Sequence, residues 1–275
     1  MIPASFEYRR ADSVEQALGW LSEDPDSTKL LAGGHSLLPL MKLRLATPGV
    51  LVDIGRVPGL SYVRDAGDHV AVGALTRHRD VEISDVARAH VPLLAHVAGQ
   101  VGDPQVRHRG TIGGSIAHGD PASDLPAAVL ALDGVLVIDG PRGRREVGAG
   151  DFFRGFLETA LAPDEVLTEI RVRKAPRGWA FQKFNRRAQD WAIVGVAAVV
   201  NGGARVALVN MGATTVRARG TEEALAAGAG IAEAAARAPE GLEPPSDLQG
   251  SAEYRRHLAT VLVRRALEEA TASGG

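Results

Sequence analysis

The chain of 275 residues contains no cysteine. It therefore cannot form a disulfide, and it cannot supply thiolate ligands to an iron–sulfur cluster or to a cysteine-rich zinc site. A thiol nucleophile and a cofactor tethered through a thiol are excluded for the same reason. If the protein transfers electrons, its own cofactor is organic or is a metal held by histidines and carboxylates, and any iron–sulfur relay lies on another chain.

A strong net charge and long apolar runs are also missing. The formal net charge of −2 creates no overall field that would favour nucleic acid or an anionic membrane. No apolar run approaches the roughly 20 residues that span a bilayer. The first residues carry charges from Glu7 onward and lack the apolar core of a signal peptide. We therefore expect no nucleic-acid partner, no transmembrane segment and a cytoplasmic location.

The composition is that of a globular protein, with 45% apolar and 23% charged residues, and the length allows two domains. The first 55 residues show a strand–helix–strand order that indicates a small α/β unit. Ser13 followed by Gln16 forms a capping-box pattern at the start of an earlier amphipathic helix. The expected elements after it are a strand at 29–32, a helix at 36–45 and a strand at 50–54.

Residues 60–175 mix short strands with helices and glycine-rich turns, which indicates an α+β arrangement. A third section begins near Arg177, where two apolar strands flank Asn201-Gly202-Gly203, a strong hairpin signal. Two alanine- and arginine-rich helices are predicted after the hairpin, near 221–237 and 251–270, with a Pro- and Gly-rich linker between them. We predict an α+β fold with a domain at 1–176, divided into subdomains of about 1–55 and 56–176, and a C-terminal domain at 177–275 with a small antiparallel sheet packed with helices.

Two glycine-containing turns are the main candidates for a ligand-binding site. The first turn is Ala32-Gly33-Gly34-His35-Ser36 and the second turn is Thr111-Ile112-Gly113-Gly114-Ser115. Paired glycines allow positive φ and remove side chains that would block a ligand, and successive backbone amides before a helix form a concavity that binds anions. Both turns could hold one diphosphate, or each could be a structural bend. Neither matches the G-x-G-x-x-G fingerprint or a P-loop.

Three longer segments resemble the FAD-binding medium subunits of molybdenum hydroxylases, the family of aerobic carbon monoxide dehydrogenase and xanthine dehydrogenase. Residues 31–42 resemble the first flavin motif of that family, and residues 109–124 resemble the second. Residues 183–192 resemble the segment that opens its C-terminal domain. The segments occur in the family's order and spacing, and the resemblance covers nearly the whole chain. It implies a two-lobed FAD-binding domain of the PCMH type and non-covalent FAD.

The resemblance also implies roles for individual residues. The two turns would hold the FAD diphosphate, and Asp124 would accept hydrogen bonds from ribityl or ribose hydroxyls. Leu167 would pack against the flavin ring, and Lys183 would lie near its polar edge, where a cation stabilises negative charge. Trp191 either packs in the core, the reading we favour, or shields the flavin ring. We expect no metal on this chain, and we identify no catalytic residue. The complete set of expected cofactor-binding residues is Ala32, Gly33, Gly34, His35, Ser36, Thr111, Ile112, Gly113, Gly114, Ser115, Asp124, Leu167 and Lys183.

The family resemblance implies an electron-transfer subunit that does not oxidise the substrate itself. A large subunit would carry molybdopterin, a small subunit would carry [2Fe–2S] clusters, and the complex would be a dimer of heterotrimers. FAD would pass the electrons to an external acceptor, because a flavin accepts electrons singly and donates them in pairs. The alternatives are a stand-alone FAD-dependent oxidoreductase with its own substrate site, and an assembly protein that has lost the flavin.

Overall fold

A computed structural model describes residues 2–274 of the chain. Its first lobe is a parallel sheet of three strands in the order β1-β3-β2, with one helix between each pair of successive strands. The Ser13 hydroxyl accepts a hydrogen bond from the Gln16 amide at 3.1 Å and caps the first helix, as expected. The predicted α/β unit is confirmed. The elements of this lobe are β1 (Glu7–Arg10), α1 (Val14–Glu23), β2 (Thr28–Leu31), α2 (Leu37–Lys42) and β3 (Val50–Asp53).

The second lobe is built on an antiparallel sheet of five strands, in the order β4-β5-β10-β6-β7, and on seven helices packed around it. This mixture confirms the α+β prediction. Its strands are β4 (Val63–Asp65), β5 (His69–Gly73), β6 (Val135–Gly140), β7 (Gly143–Gly148), β8 (Phe153–Gly155), β9 (Glu158–Thr159) and β10 (Val166–Arg173). Its helices are α3 (His78–Ile83), α4 (Asp85–His90), α5 (Pro92–Gln100), α6 (Pro104–Arg107), α7 (Ile112–His118), α8 (Asp124–Ala131) and α9 (Ala149–Phe152).

The C-terminal unit is an antiparallel sheet of four strands followed by three helices, and the predicted hairpin at Asn201-Gly202-Gly203 is confirmed. The single helix predicted at 221–237 is wrong, because the chain leaves the helix at Gly228, whose φ is +88°, and starts a new one after Gly230. No helix among residues 2–274 is long and apolar enough to cross a membrane. The elements are β11 (Trp179–Phe184), β12 (Val194–Val199), β13 (Arg205–Val209), β14 (Val216–Arg217), α10 (Arg219–Ala226), α11 (Ile231–Ala236) and α12 (Ala252–Gly274).

The sheet of the C-terminal unit is buried on both faces, and this fixes its place against the second lobe. Along β12, Val194 and Val196 belong to a core cluster formed with α12. Ala197 and Val199 point to the opposite face and join the core of the second lobe, which includes α8. Successive side chains of a strand alternate between faces, so one strand serves both cores. As a result β11, which carries Lys183, lies beside the second lobe.

A buried arginine ties the C-terminal helix to the segment that leads into β12. The Arg255 side chain on α12 is fully buried, and its Nη2 lies 2.7 and 2.8 Å from the two carboxylate oxygens of Asp247. Its Nη1 donates to the backbone oxygen of Ile193. Because a buried charge is costly without a partner, this ion pair fixes the linker before α12 and the chain next to Trp191 at the same time.

We predict that Asp247→Ala destabilises the protein by about 2 kcal/mol, because it leaves the Arg255 charge buried without its carboxylate. The loss falls below the ~3–5 kcal/mol of a fully buried pair, since the Asp247 side chain is 45% exposed. Asp247→Ala combined with Arg255→Met recovers most of the loss in chemical denaturation. Arg264→Ala, which removes an exposed pair with Glu268, serves as the control. Wild-type stability in Asp247→Ala would contradict the prediction.

Candidate functional site

A cavity of about 820 Å³ lies where the first lobe, the second lobe and the start of the C-terminal unit meet. Clefts that hold a whole cofactor typically enclose about 300–1,000 Å³. The structure brings both turns to this cavity, although about eighty residues separate them in the chain. Twelve of the thirteen expected residues line it: Ala32, Gly33, Gly34, His35, Ser36, Thr111, Gly113, Gly114, Ser115, Asp124, Leu167 and Lys183.

The first turn presents unused hydrogen-bond donors to the cavity. Among residues 2–274, no group accepts a hydrogen bond from the backbone amides of Gly33, Gly34, His35 or Ser36. Gly34 has a φ of +79°, the left-handed conformation that glycine adopts without strain. The Ser36 hydroxyl does not cap α2, and within the described residues 2–274 it makes no hydrogen bond. Unused backbone donors next to a cavity need a partner, and this geometry suits an anion with several oxygens.

The second turn differs from what the sequence led us to expect, because four of its five amides are already in use. The amides of Ile112 and Gly113 donate to the backbone oxygens of Thr76 and Ala74, at 3.0 and 2.9 Å. The Gly114 amide donates to the Thr111 hydroxyl, and the Ser115 amide donates to the Thr111 backbone oxygen, both at 3.1 Å. The second turn is thus the capped start of α7, and among residues 2–274 four of its five amides have acceptors, so that only the Thr111 amide is left to an anion.

Ile112 is the one expected residue that does not line the cavity. Its side chain is fully buried in the core of the second lobe. Its position follows from the helix that starts at this residue, which turns the Ile112 side chain inward and leaves Gly114 and Ser115 facing the cavity.

The glycines of the two turns also serve close packing. A Cβ atom on Gly33 would lie 2.5 Å from the backbone oxygen of Arg109, and one on Gly113 would lie 2.5 Å from the Ala74 side chain. Gly114 has more room, since its Cβ would approach only the Thr111 hydroxyl, at 2.8 Å. Only glycine therefore lets the first turn touch the segment that leads into the second turn.

A buried ion pair joins the second lobe to the C-terminal unit in the wall of the cavity. Lys183 Nζ lies 2.6 Å from Asp124 Oδ2, and it also donates to the backbone oxygen of Gln100 at 3.3 Å. Burial raises the pKa of the Asp124 carboxyl to about 6, although the Lys183 ammonium opposes the rise. Asp124 Oδ1 is buried and has no hydrogen-bond partner among residues 2–274. This oxygen can accept a hydrogen bond from a ligand hydroxyl.

The remaining lining residues include an exposed aromatic side chain. Trp191 is 62% exposed and lines the cavity, so the interpretation of this residue as part of the core is wrong. It stays outside because Asp190 and Trp191 lie in the loop between β11 and β12, before the strand enters the core. Leu167 is 5% exposed and lines the cavity from β10, beside an irregularity in that strand.

Several residues of the cavity wall were not predicted from the sequence. His78, the first residue of α3, lines the cavity, and so do Leu157 and neighbouring residues next to β9. The loop at Gly102 also contributes; there a Cβ atom would overlap the backbone oxygen of Gln189. None of these positions carries a glycine pair or a motif, so no local pattern could have identified them. They reach the cavity only through the tertiary fold.

Family models match the chain over most of its length. The model described as "FAD binding domain in molybdopterin dehydrogenase" matches residues 4–174, and the model described as "CO dehydrogenase flavoprotein C-terminal domain" matches residues 179–270. The chain belongs to the FAD-binding medium subunits of the molybdenum hydroxylases. The expected family and the expected function as a flavin subunit are confirmed.

Individual relatives agree with this family. The carbon monoxide dehydrogenase medium chain of Hydrogenophaga pseudoflava is 43% identical over 284 residues, which covers 99% of each chain. Subunit alpha of the 6-hydroxypseudooxynicotine dehydrogenase complex of Paenarthrobacter nicotinovorans is 38% identical and covers 98% of this chain and 96% of its own. A solved structure of the Hydrogenophaga pseudoflava carbon monoxide dehydrogenase that lacks the Mo-pyranopterin moiety matches with a TM-score of 0.95, at 44% identity over 100% of both chains.

The ion pair of this medium subunit leads to a prediction about pH. In Lys183→Met the ammonium is lost, so the pKa of Asp124 rises further above about 6, while it stays near its ordinary value of 3.8 in the unfolded chain. A carboxyl whose folded pKa is the higher one costs stability as the pH rises between the two values. The variant should therefore lose stability between pH 5 and 8 by about 1–2 kcal/mol more than the wild type.

Thermal and chemical unfolding at several pH values would measure this slope. The double variant with Asp124→Asn and Lys183→Met removes the titrating group and should show a shallower slope than the wild type. A slope in Lys183→Met equal to that of the wild type would show that the ammonium does not govern the carboxyl.

Proposed function

We propose that the chain binds one FAD non-covalently in the cavity and passes electrons from iron–sulfur clusters of a partner subunit to an external acceptor. The observation that carries the residue assignment is the row of four unused amides in the first turn, Gly33 to Ser36, next to the cavity. A diphosphate supplies several oxygens that accept such hydrogen bonds. In this proposal the Ser36 hydroxyl adds a further donor.

Other residues fit the rest of the cofactor. The second turn would bound the diphosphate from the opposite side through the small surface of Gly114 and the Ser115 hydroxyl, which lies 2.8 Å from the hydroxyl of Ser123. The unpaired Asp124 Oδ1 would accept from a ribityl or ribose hydroxyl. Leu167 would pack against the ring, and Lys183 would place its positive charge near the ring's polar edge. The exposed Trp191 supports the shielding role over the core role.

When bound, FAD supplies the junction between single-electron and two-electron transfer. The chain's own residues would shield and orient the cofactor: the apolar wall around Leu167 would keep water from the ring, and Lys183 holds its positive charge beside Asp124. Because the chain has no cysteine, the iron–sulfur clusters that supply its electrons belong to another chain. We propose a large molybdopterin subunit and a small [2Fe–2S] subunit as partners, arranged as a dimer of heterotrimers. The cytoplasmic location stays a prediction.

The choice of substrate belongs, in this proposal, to the molybdenum subunit. The two relatives described above are named for carbon monoxide and for 6-hydroxypseudooxynicotine, which are chemically unlike, yet both match this chain over nearly its whole length. A medium subunit that works for such different substrates carries out a step common to both complexes. Electron transfer through the flavin is that step.

We predict that the purified chain shows the absorption bands of oxidised flavin, and that Gly114→Leu weakens FAD binding by about 10- to 100-fold through crowding of the cavity. Gly114 is the better position for this test than Gly33, since a side chain on Gly33 would displace the Arg109 backbone. Gly19→Leu, on an exposed part of α1 with nothing within 4 Å, is the matched control. Equal FAD content in both variants would contradict the site.

The transfer role has its own test in the assembled complex. Reduction of the flavin by the complex's substrate should require the cluster-bearing and molybdenum-bearing partners, which should co-purify with this chain. A chain that reduces its flavin with substrate in the absence of both partners is the stand-alone oxidoreductase instead.

A further inference from the structure

His78 lies in the cavity wall at the point where the two turns meet. It is the first residue of α3, its side chain is 5% exposed, and it lines the cavity. Its backbone amide donates to the backbone oxygen of Gly110 at 3.0 Å, which anchors α3 to the segment that leads into the second turn. This hydrogen bond therefore fixes the position of the backbone that carries the imidazole.

The imidazole ring is packed against the contact between the two turns. A Cβ atom on Gly110 would lie 2.7 Å from both Cδ2 and Nε2 of His78. On its other side Gly110 meets the first turn, because a Cβ atom on Gly33 would lie 2.8 Å from the Gly110 Cα. Gly33, Gly110 and His78 thus form three closely packed layers, and the imidazole borders the part of the cavity that both turns enclose.

One nitrogen of this ring lacks a hydrogen-bond partner. Nδ1 of His78 is buried and has no partner among residues 2–274. Burial, together with the nearby positive groups of His35, Arg77 and Arg107, lowers the pKa of His78 to about 4, so the ring is neutral at pH 7. A neutral imidazole offers one N–H donor and one acceptor nitrogen. Buried polar groups are almost always paired in folded proteins, so a ligand is the natural partner for this nitrogen.

We propose that His78 is a further FAD-binding residue that donates a hydrogen bond from Nδ1 to an oxygen of the diphosphate between the two turns. This inference rests on the proposed function. The first turn supplies backbone donors from one lobe, and His78 supplies a side-chain donor from the other lobe. The imidazole supplies a donor on the side of the second turn, where four of the five amides are bonded within α7 or to residues 74 and 76.

The test compares two variants of similar volume in the full chain. His78→Asn places a side-chain amide near the position of Nδ1 and keeps the donor, whereas His78→Leu removes it. Dissociation constants for FAD and for ADP, which carries a diphosphate without the flavin ring, are measured on the cofactor-free chain by calorimetry. His257→Leu, at an exposed position of α12, controls for the loss of a histidine.

We expect His78→Leu to bind both FAD and ADP about 10- to 100-fold more weakly than the wild type, with His78→Asn close to the wild type. Equal affinities in the Leu and Asn variants, or a loss for FAD without a loss for ADP, would overturn the proposal. Thermal unfolding shows whether His78→Leu is folded. If it is not folded, His78→Phe replaces it in the same comparison. A wild-type chain that binds no FAD would overturn the proposed function instead, so the two failures are distinguishable.

Discussion

The site depends on the close approach of two backbone segments that come from different lobes. The first turn touches the segment at Arg109 and Gly110 so tightly that Gly33 has no room for a Cβ atom. This contact places the four unused amides of the first turn opposite the start of α7, and it creates the enclosed end of the cavity. A side chain at this point would separate the lobes, and the amides would then face water instead of a ligand.

The other end of the cavity depends on electrostatics across the boundary with the C-terminal unit. Lys183 reaches from β11 to the buried carboxylate of Asp124 at the start of α8, and Arg255 holds the chain at the beginning of β12. The two cations act at different places but have the same consequence. They fix the segment from 183 to 193, which carries Trp191 and closes the cavity on the side of the C-terminal unit.

Much of this arrangement was predictable from sequence because it rests on local signals. The glycine pairs, the Ser13 cap and the Asn201-Gly202-Gly203 hairpin each act within a few residues, and the structure has turns or caps at all three. The free amides of the first turn follow from the same local logic. The occupied amides of Ile112 and Gly113 do not, because their acceptors, Thr76 and Ala74, are remote in sequence. His78 and the exposure of Trp191 are likewise products of tertiary packing.

In the proposed function, the first turn holds the diphosphate of FAD through its backbone amides. The most direct measurement is amide NMR of the cofactor-free chain with isotope labels on the turn, titrated with FAD. We expect large shifts and slowed hydrogen exchange for the amides of Gly33, Gly34, His35 and Ser36, with smaller changes for Gly113 and Gly114, which are already hydrogen-bonded. Bound FAD that leaves the amides of the first turn unshifted and in free exchange would contradict it.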